Sequence, residues 1–446
     1  MKKFFVIHAV LFSSCLILGF ILVIFSPKES VSNQEKRKLT EIPSFTWQGV
    51  LNGSLMNQLQ QYVDDHFPLR STFVDFAFSM NNLKGIGNTN GARMITPVKG
   101  KFTNEKKIDL NKAARDINYL VNAESATSRG VLIIGARGFQ VFGGSKGDVK
   151  GYIDMVNEYR ELLPSNIRIF NCIVPTSSSF VFVKEYDYLR EKEFTNIKEA
   201  YAMTKPGVVN VLAAEALVSH QNEYIFFASD HHWTGLGAYY AYTAYCDAAG
   251  LKATPLSKMQ KKTIPNFLGT LYNLTKDQSI KNNVDSVEYY ISPVKVQPSN
   301  LAEYAKGGNA YGVFLGGDFA HSKFQTSVKN GKSVLVIKNS FGNPFSTFLV
   351  NNYETVHVVD YRYFNKGLLK LIDKEGVDDV VFFHNVFSAN TLSHSQRQRI
   401  IKDEIIDDNN NEFSKVKKPA AVKDKAKTQK KITKEKTNPA KPSSAP

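Results

Sequence analysis

Hydrophobic positions along the chain fall into three regimes. Phe4 to Phe25 is predominantly apolar, with no Asp, Glu, Lys or Arg, and as a helix it is long enough to cross a hydrocarbon core. Residues 28–100 start as a polar linker and then place Met56, Leu59, Tyr62 and Val63 at helical spacing until Pro68 interrupts them, which predicts a helical lead-in. Residues 101–403 alternate short apolar runs with helix-length segments. Val131 to Ile134, Ile167 to Val174, Val208 to Leu212 and Tyr224 to Phe227 read as strands, Tyr152 to Leu163 as a helix ended by Pro164, and Gly235 to Gly250 as another helix. Val334 to Ile337, a helix near Pro344 to Asn352, Thr355 to Val359, a helix near Lys366 to Lys374, and Asp379 to Phe383 make a β-α-β-α-β run. Its continuous apolar strands suit a parallel sheet covered on both faces. The expected fold is α/β, doubly wound around a mostly parallel sheet. Residues 404–446, acidic and Asn-rich and then rich in Lys, Ala and Pro, lack the apolar area to fold and are expected to be disordered.

Composition changes this picture little. A hydrophobic fraction of 43% supports a sizeable core. The net charge of +15 suggests an anionic partner, but from Lys415 to Pro446 eleven Lys face only Asp424 and Glu435, so +9 belongs to the tail. Its simplest role is a solvated tail, with anionic wall polymers or lipid headgroups as the functional alternative, and no nucleic-acid partner is expected. Cys15, Cys172 and Cys246 offer no disulfide framework or paired metal spacing, and the last two sit where small core residues belong. The apolar run from Phe4 exceeds a signal-peptide core and shows no small-residue cleavage site. Residues 1–27 are therefore expected to be an uncleaved signal-anchor in the cell membrane, single-pass, with the main domain extracytoplasmic. Gly135-Ala136-Arg137-Gly138 lacks the glycine spacing of a dinucleotide site, and no cofactor is expected.

Two stretches bring chemistry. Asp230-His231-His232-Trp233 precedes the Gly235 helix, and Lys338-Asn339-Ser340-Phe341-Gly342 stands at a strand-to-helix turn. Acyl transfer needs a hydroxyl, an imidazole to take its proton and a carboxylate to orient that imidazole. Ser340, His232 and Asp230 supply these types. Asn339, Gly342 and Asn343 suit a tight turn whose backbone N–H groups can face an oxyanion, and Thr234 suits the N-cap of the following helix. His231, adjacent to His232 in an extended segment, is expected to point to the opposite side and shape the site. Trp233 is a candidate for stacking on a sugar or for the core. Arg137 is a candidate for an anionic substrate group or a surface ion pair, and Arg362 for bracing the site with Asp360. His220, Asp230, His231 and His232 are also metal-ligand types, but no His-x-x-x-His or Cys pair supports a metal.

Asp-His-His-Trp followed by Thr-Gly, the later Val-Ile-Lys-Asn-Ser-Phe-Gly-Asn, Val-Val-Asp360-Tyr361-Arg362-Tyr363-Phe364 and the early Asp65-His66-Phe67-Pro68-Leu69-Arg70 resemble the bacterial DHHW proteins. These look like relatives of the alginate O-acetyltransferases in the SGNH-hydrolase superfamily. The resemblance spans roughly residues 30 to 390. It implies a permuted SGNH-like fold, with Ser340 as nucleophile, His232 as general base and Asp230 as orienting carboxylate. It further implies acetyl transfer onto a cell-surface polysaccharide, with a membrane-bound O-acyltransferase as partner; the esterase uses water as acceptor instead. Relatives commonly place Asp or Thr before the serine, where this chain has Asn339. A non-catalytic polysaccharide-binding or assembly protein on the same fold is the alternative.

Overall fold

The computed structural model describes residues 128–404 without interruption, together with 108–124, 92–95, most of 37–69 and short pieces nearer the N-terminus. About half of the expected membrane segment lies outside the described residues, and the tail from Ile405 wholly so. Among the described residues no helix is long and apolar enough to cross a membrane. The lead-in forms helix α1 (Ser54–Asp65), whose last carboxylate accepts the backbone N–H and the hydroxyl of Thr40.

Strands β1 (Ala92–Ile95), β2 (Ser128–Ile134) and β3 (Arg137–Phe142) form a small antiparallel sheet. The run from Val131 to Ile134 therefore belongs to a separate meander and not to the main sheet. Its two-residue turn requires the left-handed backbone of Gly135 (φ 59°). After helix α2 (Lys146–Leu162) come β4 (Arg168–Val174) and a short β5 (Val208–Asn210). Helix α3 (Gly235–Ala249) is capped by Thr234 Oγ1, which accepts from Gly237 N at 3.2 Å, and ends at left-handed Gly250. A hairpin, β6 (Gln260–Phe267) and β7 (Asp285–Ile291), encloses the short helix α4 (Thr270–Thr275). The chain then runs through β8 (Val296–Gln297), β9 (Ser322–Thr326), β10 (Ser333–Lys338), α5 (Gly342–Leu349), β11 (Thr355–Asp360), α6 (Leu368–Glu375), β12 (Asp379–Asn385) and α7 (Leu392–Asp403).

The main sheet has seven strands in the order β8-β9-β11-β10-β12-β4-β5. All pairs from β11 through β5 are parallel, and β8 and β9 extend one edge antiparallel. This is a mixed α/β fold with a mostly parallel sheet, as the strand pattern predicts. Every residue of β10 and β12 is buried, because helices cover both faces; that is why their central stretches, Val334 to Ile337 and Val380 to Phe383, are continuously apolar and do not alternate. On one face α3 and α5 pack Tyr245, Phe345 and Phe348 against Val336, Val358 and Phe383. On the other, Tyr159 of α2 meets Phe382 edge-on.

Strand β10 sits between β11 and β12, and the chain leaves it first for one neighbour and later for the other. The carboxyl end of β10 is thus a switch point, where flanking connections diverge and open a crevice. Ser340 stands there. The run from Tyr224 to Phe227 is not a sheet strand. It folds back on its own continuation, with Thr234 N donating to Ile225 O and a single bridge between Phe226 and Trp233. Asp230 consequently lies in a loop laid over the sheet edge and not beyond a strand end.

Candidate active site

The loop holding Asp230 is anchored from outside itself. Asp285, on β7, accepts the backbone N–H groups of Ala228 and Ser229 and the hydroxyls of Ser229 and Tyr224. Arg137 donates to the carbonyl of Phe226 at 2.9 Å and lies over the Tyr224 ring. It braces the loop from behind and does not join the cluster around Ser340.

Within the loop the carboxylate and imidazole are set by local spacing. Asp230 Oδ1 accepts both the backbone N–H of His232 (2.9 Å) and its Nδ1 (2.6 Å), the geometry of an Asx turn. Asp230 Oδ2 accepts the backbone N–H of Thr270 at 2.7 Å and its hydroxyl at 3.1 Å. His232 Nε2 lies 2.8 Å from Ser340 Oγ. With the imidazole protonated at Nδ1, Nδ1 donates to Asp230 and Nε2 accepts from the Ser340 hydroxyl. The two stretches meet across 108 residues, within reach for proton transfer.

Burial alone would raise the Asp230 carboxyl. His232 and His231, with hydrogen bonds from His232 and Thr270, outweigh it and hold the group well below the usual carboxylate range. Asp230 is a charged acceptor at neutral pH. His231 is pushed down to about 4 by burial, then by His232, and is neutral.

His231 does not point away from His232. The loop turns instead of extending, so the two rings lie 3.8 Å apart, and His231 Nδ1 shares a hydrogen bond with Thr270 Oγ1. Trp233 is fully buried and donates Nε1–H to the Phe341 carbonyl at 3.0 Å, leaving no face for a sugar. It joins the histidine loop to the serine turn from beneath. Asp230, His231 and His232 group their potential ligand atoms within 4.8 Å. Asp230 Oδ1 is taken by His232, Asp230 Oδ2 by Thr270 and His232 Nε2 by Ser340, which fits proton transfer better than metal ligation. His220 lies elsewhere, stacked on Tyr240 and bonded to Glu223.

On the serine side, Gly342 N donates to Asn339 O and Asn343 N to Ser340 O, closing the turn into α5. The N–H groups of Ser340 and Phe341 make none of the turn's hydrogen bonds among the described residues, and they stand at the positive end of α5. They are the donors available to an oxyanion. Gly342 has to be glycine, since a Cβ there would stand 2.5 Å from Lys338 Cβ. Lys338, 1% exposed, donates Nζ to Asp318 (2.8 Å) and Asp360 (2.9 Å). Arg362 grips the same two carboxylates, and Asn343 donates to Asp318. This four-charge network, buried except at the partly exposed Asp318, braces the turn, so Arg362 is a structural neighbour of the site. Asn339 is fully buried and donates to Glu124 at 3.2 Å.

Several participants were not evident from the sequence. Tyr311 stacks on the His232 ring at 4.1 Å and donates its hydroxyl to the Ser340 carbonyl at 3.1 Å. Thr270 holds Asp230, and Gly269 makes room, because a Cβ there would lie 2.2 Å from Asp230 Cβ. Gly269→Ala is expected to displace the carboxylate by the better part of an ångström and lower turnover about 100-fold, since misplacement on that scale has that effect. Steady-state rates against a small acetyl ester test it; an unchanged rate would refute the packing constraint.

A pH effect on stability follows from His231. Unfolded, it binds a proton near pH 6.5; folded, only near 4. The unfolded state binds more protons between these values, so stability is lost as pH falls from 6.5 to 4. Asp230, depressed when folded, adds stability above its unfolded range that is lost at still lower pH. The urea midpoint should fall across pH 6.5–4, and His231→Gln should flatten that slope; an unaltered slope would count against a neutral His231.

Fold and site together define an α/β protein with Ser340, His232 and Asp230 in one hydrogen-bonded line at the switch point of a mostly parallel sheet. The family described as DHHW protein matches residues 102–359, and the chain belongs to that family. Among solved structures, a DHHW family protein from Eubacterium siraeum is similar at 30% identity and a TM-score of 0.57, covering 60% of this chain and 94% of that one. Bacillus cereus PatB1 is similar at 15% identity and a TM-score of 0.49, over 58% of this chain and 96% of that one. The O-acetyltransferase domain of Pseudomonas putida AlgJ gives 14% identity and a TM-score of 0.32, over 58% and 88% respectively. No curated protein matches the chain.

Proposed function

We propose that the chain is a serine-dependent O-acetyltransferase or acetylesterase acting on a cell-surface polysaccharide, on a permuted SGNH-like fold. The observation that carries this reading is the continuous line Asp230–His232–Ser340, with hydrogen bonds of 2.6 and 2.8 Å. In the first half-reaction Ser340 Oγ attacks the acyl carbonyl while its proton passes to His232 Nε2. The N–H groups of Ser340 and Phe341 bind the resulting oxyanion. The tetrahedral adduct collapses, the leaving group takes the proton from His232, and the acetyl group remains on Ser340. In the second half-reaction a sugar hydroxyl gives its proton to His232 and attacks the acetyl carbonyl, and as that adduct collapses His232 returns the proton to Ser340 Oγ; with water as acceptor the product is acetate. Asp230 stays ionised and stabilises the imidazolium in both halves.

In this reading the domain works outside the membrane, tethered by residues 1–27, and a membrane-bound O-acyltransferase supplies the acetyl group. The apolar, uncharged run from Phe4 to Phe25 supports the tether. Acetyl analysis of the surface polymer in cells carrying Ser340→Ala tests the assignment. Loss of ester-linked acetate is expected for the transferase and a gain for the esterase; an unchanged acetyl content would refute both.

A further inference from the structure

One loop anchors a feature that the relay does not use. Between β8 and β9 the chain forms a compact excursion tied to α5 by the Asn300 side chain, which donates to the Thr347 carbonyl at 3.1 Å. Leu301 and Phe314 bridge its two arms, and Val313 and Phe314 pack into a small core with Phe227 and Phe267. It supplies Tyr311 to His232 and Asp318 to the network around Ser340. Its exit runs through three consecutive left-handed residues, Leu315 (φ 62°), Gly316 (φ 81°) and Gly317 (φ 123°). Such a conformation is unfavourable for a leucine and persists only where the surroundings enforce it.

This path leaves two large rings in solvent. Tyr304 is 77% exposed, the most exposed large hydrophobic side chain between residues 128 and 404, and Phe319 is 50% exposed. They flank one glycine: the position of a Cβ on Gly316 lies 3.2 Å from the Tyr304 hydroxyl and 3.4 Å from the Phe319 ring. Neither ring stacks on another aromatic among the described residues. Phe319 also lies on the carboxyl edge of the sheet, its carbonyl accepting from Asp360 N at the end of β11. That strand is the neighbour of β10, which delivers Ser340, and neighbouring strands stand roughly 4.8 Å apart.

We propose that Tyr304 and Phe319 form an aromatic platform that binds a pyranose ring of the polymer, beside the sugar whose hydroxyl or ester meets Ser340. The inference rests on the polysaccharide reading above and adds where the chain of sugars runs. Pyranoses present flat C–H faces that gain dispersion contact on an aromatic ring while their hydroxyls stay in water. Tyr and Phe side chains carry few rotatable bonds, so rings on an anchored loop lose little freedom on binding. The occupant is thus a glycan longer than one residue.

The test uses the full chain with three acetyl esters: p-nitrophenyl acetate, O-acetylated methyl glucoside and mono-O-acetylated cellohexaose. Wild type should prefer the hexasaccharide ester to the glucoside ester. Tyr304→Ala/Phe319→Ala should lower kcat/KM for the hexasaccharide about tenfold, through KM, and leave the two small esters unchanged. Both side chains are exposed, so the melting temperature should hold, and Tyr304→Phe/Phe319→Tyr should restore the preference. Equal handling of the two sugar esters by wild type, or an equal change in both on substitution, would overturn the platform. If wild type cleaves no ester, the catalytic assignment fails separately. The platform is then read from affinity electrophoresis in unmodified cellohexaose: binding that the double variant loses supports it, and no binding by wild type overturns it.

Discussion

Ser340→Ala is expected to reduce acetate release from p-nitrophenyl acetate by roughly three to six orders of magnitude, the range set by removing the nucleophile from serine hydrolase relays. The substitution deletes one oxygen. His232 stays fixed by Asp230 and by the Tyr311 ring, and the turn keeps its backbone bonds between Gly342 and Asn339 and between Asn343 and Ser340. The loss should therefore appear in kcat with little change in melting temperature. Asp230→Asn makes a graded companion. An amide cannot be a charged acceptor for the His232 Nδ1–H, so the tautomer that leaves Nε2 free is no longer favoured, and a loss of about 10⁴ is expected. A serine variant as fast as an active wild type would rule out the relay. If the Ala variant is inactive only because it has unfolded, circular dichroism and the melting curve will show it.

The largest structural effect is expected at Lys338. Its ammonium is 1% exposed between Asp318 and Asp360, and Arg362 makes the second positive charge, so the four groups balance. Burial alone would raise the Asp318 carboxyl; Lys338 and Arg362 outweigh it and hold the group well below its ordinary range. Lys338→Met leaves the buried carboxylate of Asp360 and the partly exposed one of Asp318 to one guanidinium. Breaking such a pair from one side costs about 3–5 kcal/mol, because the surviving charge stays desolvated. Urea unfolding should register that loss, and adding Asp360→Asn should recover part of it by removing the surplus charge. A loss below about 1 kcal/mol would mean that water reaches these carboxylates and that the network does not brace the serine turn.

The network was hidden from sequence reading for a definable reason. Lys338 lies in an otherwise apolar run and reads as the polar end of a strand. Asp318 directly follows a glycine-rich stretch, Gly307 to Gly317, that has no periodicity. Their pairing depends on β10 and β11 being parallel neighbours in register, Lys338 opposite Asp360. Tyr311 and Thr270 were hidden likewise, since Tyr311 reaches Ser340 from 29 residues away in sequence and Thr270 reaches Asp230 from 40.

The expectation that failed, a strand at Tyr224 to Phe227, failed because an apolar run specifies burial without specifying a partner. Ile225 and Phe227 exchange backbone bonds with Thr234 and His232, and Asp285 accepts from Ala228 and Ser229, so the segment is buried as a loop. His231 followed the same logic. Alternation of side chains holds in an extended segment, and this one turns.

Local chemistry sufficed for the β-α-β-α-β run, because continuous apolar strands between helix-length segments have few other ways to be buried. It also sufficed for the Asp230–His232 pair, whose two-residue spacing closes an Asx turn without outside help, and for the sharp turn at Ser340. Whether imidazole and hydroxyl meet is a matter of 2.8 Å across 108 residues, and no local rule reaches that far. Packing settled it. Trp233 beneath the turn, Asp285 behind the loop and the central place of β10 bring the two stretches to one sheet edge, and hydrogen bonds of such length are met only when every supporting contact is made at once.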